Sequence, residues 1–437
     1  MSIASIRLLR PVPATAVVVT DRPSPAALAA WARLVAETPG SDAAQLPGWA
    51  TLRGTVGFSA RYVFVYAREA GLGDDVENGH RGFDPEVDGE LVGGAQVLER
   101  PLPVLGRMGY IPYGPLLSER LSGRPAVRTA VVEALADALG ELGRSRVRML
   151  FVQPPPSAES ISGALLQRGF RASDAGITPA HSLRLDLSLD RAELRGRLSK
   201  RLRTWTNRWE SRGVRVRSAT EADLPTLARL VAQSGEHQGF AAADVGYLRT
   251  LLTELPGAVG FIGELHGTPV AAAVFTRCAD TLKLRFAGMD RDDAVARSNV
   301  PAAVQWHAIG WARTAGLRWF DFGGISEEAA RHLARDGRRD GLRGVDRFKA
   351  GFGGEPYRYP PAVELIASAL PRIGYDLSRR WGVGRKAIEL AKRALRTGRL
   401  GRGAEPATSA GPAASTVAKV VPIGAAPPAP RALAGSS

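Results

Sequence analysis

The fold is decided by residues 257–290, "GAVGFIGELHGTPVAAAVFTRCADTLKLRFAGMD". These residues read as strands rich in Val, Ala and aromatic side chains, with a hairpin turn built round "HGTPVAA". The amphipathic run "VPAAVQWHAIGWARTAG" at 300–316 follows, and then the apolar run "LRWFDFGG" at 317–324. Together they predict a hairpin, a further strand, a long helix that ends at glycine, and a buried last strand.

The first half of the chain repeats this order. It runs from "YVFVYARE" at 62–69, through a hairpin predicted round "GELVGGA" at 89–95, to a helix at 126–143 and the strand "RVRMLFVQP" at 146–154. One supersecondary unit used twice predicts an α/β protein of two similar domains, each with a mixed sheet and helices on both faces. We place the first domain at residues 1–190 and the second at 191–365.

The composition of the chain indicates which classes of partner and which cellular setting to expect. The 437 residues carry a net charge of +15, which favours a polyanionic partner such as nucleic acid, an anionic membrane surface or a phosphate-rich substrate. The single cysteine, Cys278, excludes an intramolecular disulfide framework and lies mid-strand, where a buried hydrophobic role is expected. No apolar run approaches the roughly 18 residues of a membrane span, so the sequence predicts a cytoplasmic protein that touches a membrane at most peripherally.

A strongly basic segment separates the two units. Asp190 and Glu193 read as a capping box, Gly213 as a stop, and the residues between them as one helix with Trp205 and Trp209 on a shared face. Either the tryptophans dock this helix and its basic face is merely solvated, or the face contacts phosphate or RNA. Its cations are Arg191, Arg195, Arg197, Lys200, Arg201, Arg203, Arg208 and Arg212.

The pattern changes again after residue 365. Residues 366–400 contain a basic amphipathic helix, predicted from about Arg379 to Arg396, which suits either an anionic bilayer surface or packing on the domain. Residues 401–437 are dominated by Ala, Pro, Gly and Ser, and this composition predicts a disordered tail.

Common catalytic signatures are absent from the sequence. There is no G-x-S-x-G elbow, phosphate-binding P-loop or dinucleotide fingerprint. No metal site is predicted, because the histidines lie too far apart for a local zinc motif. They are His80, His181, His237, His266, His307 and His332.

Lys349 stands out against this background. Only six of the 58 Lys and Arg residues are lysines, and this one lies in "VDRFKAGFGGEPYRY", just before a glycine-rich turn. A compact ammonium differs from a planar guanidinium, and it could stabilise negative charge on a tetrahedral acyl intermediate. The alternative is an ordinary solvated charge.

Several stretches together resemble the Fem family of peptidoglycan-bridge peptidyltransferases. They are "QLPGWATLR" at 45–53, "GYIPYGPL" at 109–116, "HSLRLDLS" at 181–188, "FDFGGI" at 320–325 and "FKAGFGG" at 348–354. The resemblance implies two tandem GCN5-type acyltransferase (GNAT) domains. It also implies an aminoacyltransferase that moves an amino acid from aminoacyl-tRNA to the stem-peptide amino group of a peptidoglycan precursor, which is either UDP-linked or lipid-linked.

The resemblance also implies roles for individual residues. Phe348 and Lys349 match the pair beside the transferred acyl group, with Lys349 stabilising the oxyanion, and Arg53 matches a cation that contacts precursor phosphates. Tyr247 matches a substrate-facing tyrosine, although Ala243 stands where the family commonly has an arginine. Further substrate-binding residues in or beside these stretches are Trp49, Tyr110, Tyr113, Asp321 and Gly353.

No cofactor is expected, because the tRNA ester is already activated. One rival is acetyl transfer from acetyl-CoA on the same fold, which usually needs a glycine loop that cradles pyrophosphate at a helix start. The first unit offers "RLSGRPA", with Pro125 at a position that needs Gly or Ala, and the second offers "AVARSNVPAA" without a glycine. A second rival is a non-catalytic RNA- or membrane-binding protein.

Overall fold

The computed structural model describes residues 15–68, 84–102, 106–238, 243–337 and 339–380. Its strands are β1 (Thr15–Thr20), β2 (Ser59–Arg68), β3 (Gly89–Leu102), β4 (Gly106–Pro112), β5 (Leu116–Leu117), β6 (Met149–Gln153), β7 (Arg171–Ala172), β8 (His181–Asp186), β9 (Val214–Ser218), β10 (Val259–Leu265), β11 (Thr268–Cys278), β12 (Thr281–Met289), β13 (Trp319–Gly324), β14 (Glu355–Arg358) and β15 (Val363–Ile366).

The helices alternate with these strands. They are α1 (Pro25–Glu37), α2 (Pro47–Gly54), α3 (Pro85–Asp88), α4 (Pro125–Leu142), α5 (Glu159–Gln167), α6 (Arg191–Arg197), α7 (Lys200–Trp205), α8 (Leu224–Gln238), α9 (Val245–Glu254), α10 (Asp293–Ser298), α11 (Val300–Thr314), α12 (Glu327–Asp336), α13 (Gly344–Ala350) and α14 (Ala369–Arg380).

Two mixed sheets organise the described residues. The first has the order β1-β2-β3-β4-β6-β15-β7 with β5 paired to β3, and the second has the order β14-β8-β13-β12-β11-β10-β9. Each contains one parallel pair, β4 with β6 and β12 with β13, and a long helix, α4 or α11, lies between the two strands of the pair in sequence. The predicted α/β fold, built from a unit used twice, is therefore confirmed.

The two halves of the chain exchange strands at their boundary. β8 lies before residue 190, yet it pairs with β13 and β14 of the second sheet. β15 lies at the end of the second half, yet it pairs with β6 and β7 of the first sheet. The boundaries placed at 190 and 365 therefore do not follow sheet membership, because strand pairing over long sequence separations leaves no local signal.

The predicted turn within "GELVGGA" is wrong, whereas the turn in the second unit is correct. The stretch lies inside β3, and a Cβ on Gly94 would come within 3.0 Å of the Trp31 ring and 2.5 Å of the Val63 carbonyl oxygen. The glycine thus permits close packing of α1 on the sheet. In the second unit, His266 and Gly267 form the turn between β10 and β11, and both have positive φ.

The basic segment is not one helix. α6 begins with the predicted capping box of Asp190 and Glu193 and ends at Arg197, and α7 starts anew after a second cap at Ser199. Its buried stripe consists of Leu194, Leu198 and Leu202, joined by the partly buried Trp209. Trp205 instead lies under the Arg212 guanidinium, with 4.8 Å between the guanidinium carbon and the ring centroid.

The basic helix predicted at about 379–396 lies outside the described residues except for its first two positions, which end α14. The tail predicted at 401–437 lies wholly outside them. Among the described helices, none combines the length and the apolar character that a membrane crossing requires.

One of the apolar clusters of the protein contains residues of both halves. A single cluster of buried side chains contains Trp31 and Leu52 from the first half together with Leu248 and Leu251 from the second. Within it α2 packs on α9 so closely that a Cβ on Gly48 would lie 2.0 Å from the Glu254 carbonyl oxygen. Glycine is therefore required where α2 crosses α9.

We expect Gly48→Ala to lower the free energy of unfolding by about 1–3 kcal/mol, because the added methyl group must push α2 away from the α9 backbone. Gly54→Ala in the same helix is the matched control, since no atom lies within 4 Å of a Cβ there. Urea unfolding of both variants checks this. Equal stability of the two would show that α2 and α9 do not pack as described.

Candidate active site

The second sheet opens into a cleft where its parallel strands separate. β12 and β13 pair only at Thr281–Lys283 with Trp319–Asp321, and beyond this point they diverge. The gap is part of a cleft of about 720 Å³, bounded also by α11 and α13. Its lining residues include Arg285, Phe286, Gly288, Met289, Arg291, Asn299, Pro301, Gln305, Phe322, Gly323, Gly324, Val345, Phe348 and Lys349.

Lys349 lies in the wall of this cleft. It projects from α13, and its Nζ donates a hydrogen bond of 2.6 Å to the carbonyl oxygen of Gly324 at the end of β13. Gly323 has φ +75°, and a Cβ there would be 3.9 Å from the Lys349 Nζ. Burial lowers the pKa of Lys349 below its ordinary value, and the charges of Asp321 and Asp346 oppose this only in part. The ammonium is therefore poorly solvated and held at one point.

Phe348 forms the apolar rim beside Lys349. Its side chain is 36% exposed and packs edge-to-face on Phe352, with 5.4 Å between the ring centroids. Gly353, in the glycine-rich turn that follows, does not reach the cleft. It has φ +86° and lies against Arg197, where a Cβ would approach the backbone oxygen to 2.6 Å. The structure therefore assigns Gly353 to the packing of the basic segment on this turn.

The cleft is cationic. Arg285, Arg291 and Lys349 line it, and none of its described lining residues is an Asp, a Glu or a His. Such a site favours a ligand in which negative charge is present or develops during reaction.

The start of α11 differs from a pyrophosphate cradle. Asn299 precedes the helix in the left-handed conformation, with φ 52°, and Pro301 occupies its first turn. Proline has no N–H, so this helix end offers one backbone donor fewer to an anion.

Asp321 lies beneath the cleft and is fully buried. It accepts hydrogen bonds from the Ser182 hydroxyl at 2.5 Å and from the Gly323 backbone N–H at 2.7 Å. Arg184 approaches it at 3.3 Å. The contact with Gly323 fixes the turn whose next carbonyl, that of Gly324, holds Lys349. Asp321 does not line the cleft, so its predicted contact with substrate stays a prediction, while its contact with Gly323 positions Lys349.

A second lysine, Lys283, was missed by sequence reasoning. Its Nζ lies 2.9 Å from an Asp42 carboxylate oxygen and 3.1 Å from the Tyr359 hydroxyl, beneath the Tyr113 ring at 4.0 Å from the centroid. Arg285 reaches the other Asp42 oxygen at 2.5 Å. A lysine inside the apolar strand "TLKLRF" was the available signal, since an unpaired charge there would be costly.

Asp42, Lys283, Arg285 and Asp321 form what we call the ionic cluster, in which the first two and Asp321 are buried and Arg285 is partly buried. Burial would raise the pKa of Asp42, but the charges of Arg285 and Lys283 outweigh it and hold that pKa well below its ordinary value. Burial would likewise lower the pKa of Lys283, and Asp42 foremost keeps it well above the ordinary value. All four groups are thus charged, and Arg285 joins this cluster to the cleft.

Four other predicted residues come together at the interface of the two halves. Arg53 is buried, with its guanidinium 4.6 Å from the Phe58 ring centroid and its Nη1 donating to the Tyr247 hydroxyl at 3.4 Å. Tyr110 lies beside Arg53, and Trp49 lies under the Arg285 guanidinium at 4.9 Å. None of these four lines the cleft described above, so their predicted substrate contacts stay predictions.

The chain is similar to known proteins in sequence and in structure. Residues 195–359 match the family described as Acetyltransferase (GNAT) domain. Among solved structures, FemX is similar over 80% of this chain and 98% of its own, with a TM-score of 0.60 and 16% sequence identity. The chain shares the fold of FemX. The predicted fold, two tandem GNAT-like domains, is thereby confirmed.

Two further structures are similar at TM-scores of 0.42. A tandem GNAT protein from the clavulanic acid biosynthesis pathway is 13% identical over 78% of this chain and 95% of its own. The L-PGS of Bacillus licheniformis is 13% identical over 70% of this chain and 87% of its own. No curated protein matches the sequence.

We expect Asp42→Ala to reduce the free energy of unfolding by about 3–5 kcal/mol, because it leaves two buried cations without their shared carboxylate. Asp21→Ala is the control: Asp21 also binds an arginine, Arg61 at 2.9 Å, but its side chain is 54% exposed, so the loss should stay below about 1 kcal/mol.

The difference between wild type and Asp42→Ala should depend on pH. The folded pKa of Asp42 is lowered, so its stabilisation is complete above the unfolded carboxyl pKa of about 3.9 and declines as the pH falls below it. Urea unfolding between pH 7 and pH 3 measures this. A difference that is absent at pH 7, or that grows in acid, would contradict the charged cluster.

Proposed function

We propose that this protein transfers an amino acid from aminoacyl-tRNA to the stem-peptide amino group of a peptidoglycan precursor, and that the reaction takes place in the cleft between β12 and β13. The observation that carries the proposal is Lys349, whose ammonium is fixed by the Gly324 carbonyl in the wall of that cleft. The FemX fold supports the same assignment. The acceptor, UDP-linked or lipid-linked, rests on the Fem resemblance of the sequence.

The chemistry needs stabilisation of one developing charge. The acceptor amine attacks the carbonyl carbon of the aminoacyl ester, the new C–N bond forms, and the carbonyl oxygen becomes an oxyanion. The C–O bond to the ribose then breaks, and the amide product leaves. Since no carboxylate or imidazole belongs to the described lining of the cleft, the proton that the amine loses passes to the leaving ribose oxygen.

Lys349 suits the oxyanion because its position is set in advance. One ammonium proton binds the Gly324 carbonyl, and the other two remain for the substrate oxygen. Lys349 is partly buried, and a lower local dielectric strengthens the interaction of its charge with an oxyanion. An arginine would place a larger planar group at the same point, so the chain's usual cation does not replace this lysine.

A second candidate function is acetyl transfer from acetyl-CoA, which the match of residues 195–359 to an acetyltransferase domain favours. The proline in the first turn of α11 and the lack of a glycine loop count against it.

We therefore expect calorimetry of the protein with acetyl-CoA to show no micromolar binding. Tight binding together with acetylation of a muropeptide amine would establish the second candidate instead.

We expect Lys349→Met to slow single-turnover transfer from charged tRNA by about 100- to 1000-fold at saturating acceptor, the usual cost of losing one oxyanion donor. Lys349→Arg should recover only part of this rate, because it keeps the charge but changes the donor geometry. A panel of charged tRNAs and muropeptide precursors first identifies the substrates.

The same variant separates a catalytic from a structural lysine by its stability. Burial disfavours the charged form of Lys349, so Lys349→Met should melt at or above the wild-type temperature while it loses activity. Lys283→Met, which leaves Asp42 without one of its cations, should melt lower. Transfer by a folded Lys349→Met protein within a few-fold of wild type would remove Lys349 from the mechanism.

A further inference from the structure

A surface of unpaired cations lies beside the mouth of the cleft. We call it the arginine surface and define it as Lys200, Arg201, Arg203, Arg208, Arg343 and Arg347. All six side chains are exposed, and within the part of the chain that the structure describes none has a carboxylate within ion-pair distance. Elsewhere in this protein, the partly buried Arg217 and the exposed Arg229 do have carboxylate partners.

The arginine surface is joined to the reacting groups by direct contacts. Ser199, at the start of α7, donates its N–H to the Gly351 carbonyl at 2.8 Å, at the end of the helix that carries Lys349. Arg201 donates to the Asn299 side chain at 3.2 Å, and Asn299 lines the cleft. Arg343 and Arg347 lie at the start of α13 and within it. A ligand held by these cations therefore has its end at the cleft.

The cations of this region are crowded. Arg339 lies between α6 and the Gly351 turn and donates to the Arg197 carbonyl at 2.5 Å. Burial foremost, and then the charge of Arg203, lower the pKa of Arg339. Like charges at this density favour a polyanionic ligand, and the planar guanidinium matches phosphate oxygens in a bidentate way.

The shape of the surface favours RNA over a bilayer. Interfacial helices insert large apolar side chains between lipid headgroups. Leu194 on α6, Leu198 between the two helices and Leu202 on α7 lie in the core, and no large apolar side chain of α6 or α7 is exposed. On α13, Val345 and Phe348 are exposed, but both line the cleft. Binding to the phosphate backbone of RNA is mainly electrostatic and needs no apolar anchor.

We propose that the arginine surface binds the phosphate backbone of the tRNA acceptor stem, so that the 3′ end with its aminoacyl ester enters the cleft beside Lys349. This proposal rests on the proposed function. It adds where the tRNA is bound and which side chains contact its phosphates. Binding through phosphates makes recognition of the stem independent of its sequence and strongly dependent on salt.

The test compares two double variants that change the net charge equally. Arg203→Glu/Arg347→Glu reverses two members of the arginine surface, and Arg33→Glu/Arg124→Glu reverses two exposed arginines in the first half of the chain. The probe is a fluorescent RNA hairpin with an acceptor-stem duplex and a single-stranded 3′ end, titrated at several salt concentrations. Thermal melts confirm that all proteins are folded.

We expect the surface variant to bind the hairpin at least about 10-fold more weakly than wild type, with a salt dependence reduced by roughly two phosphate contacts. The control variant should bind as wild type does. Equal losses in both variants would reduce the effect to net charge and overturn the proposal. The proposal also fails if wild type binds vesicles of anionic phospholipid through these residues but does not bind the hairpin.

A second readout distinguishes this proposal from the proposed function. Single-turnover transfer is measured from full-length aminoacyl-tRNA and from an aminoacyl-dinucleotide, which has no stem. The surface variant should lose transfer from the tRNA at subsaturating donor and keep wild-type transfer from the dinucleotide. If wild type transfers from neither donor, the proposed function fails. If wild type transfers and the variant uses tRNA equally well, only the arginine surface is refuted.

Discussion

The contact on which the rest depends is the pairing of Asp42 with Lys283 and Arg285. It joins the start of a short 3-10 turn of the first half, Ala43–Gln45, to β12 of the second, and the Asp42 and Lys283 side chains are buried. Because a buried charge without a partner is far more costly than a buried pair, the two halves must meet in one register. That register lays Trp49 on Arg285, and Arg285 forms part of the cleft wall. The geometry of the cleft is thus set partly by a residue of the other half.

Much of the fold could be predicted from the sequence, because local sequence patterns determine its helices. α4 and α11 follow from apolar periodicity and end near their glycines, and α6 begins at its capping box as predicted. The exchange of β8 and β15 between the sheets could not be predicted, because both strands are short and carry no local pattern that selects one sheet. Their choice of partner depends on contacts far away in sequence.

The same division applies to the site. Lys349 could be singled out because Phe348 and the glycine turn, its neighbours in sequence, also lie beside it in the structure. Lys283 could not be paired with Asp42, since 241 residues separate them. The predicted substrate contact of Asp321 stays a prediction, and the structure adds that its carboxylate accepts the Gly323 N–H and so shapes the turn. Arg53 and Tyr247 were each singled out alone, and only the folded chain brings them within 3.4 Å of each other.

The strand exchange has a consequence for the order in which the protein can form during synthesis. The first sheet is missing β15 until residue 366 has been made, and β7 has no other partner among the described strands. Since the ribosome delivers the chain from its N-terminus, the first half waits with an open sheet edge while the whole second half emerges. The second half, by contrast, holds all its strands once β14 is complete. The half that is synthesised first therefore completes its sheet last.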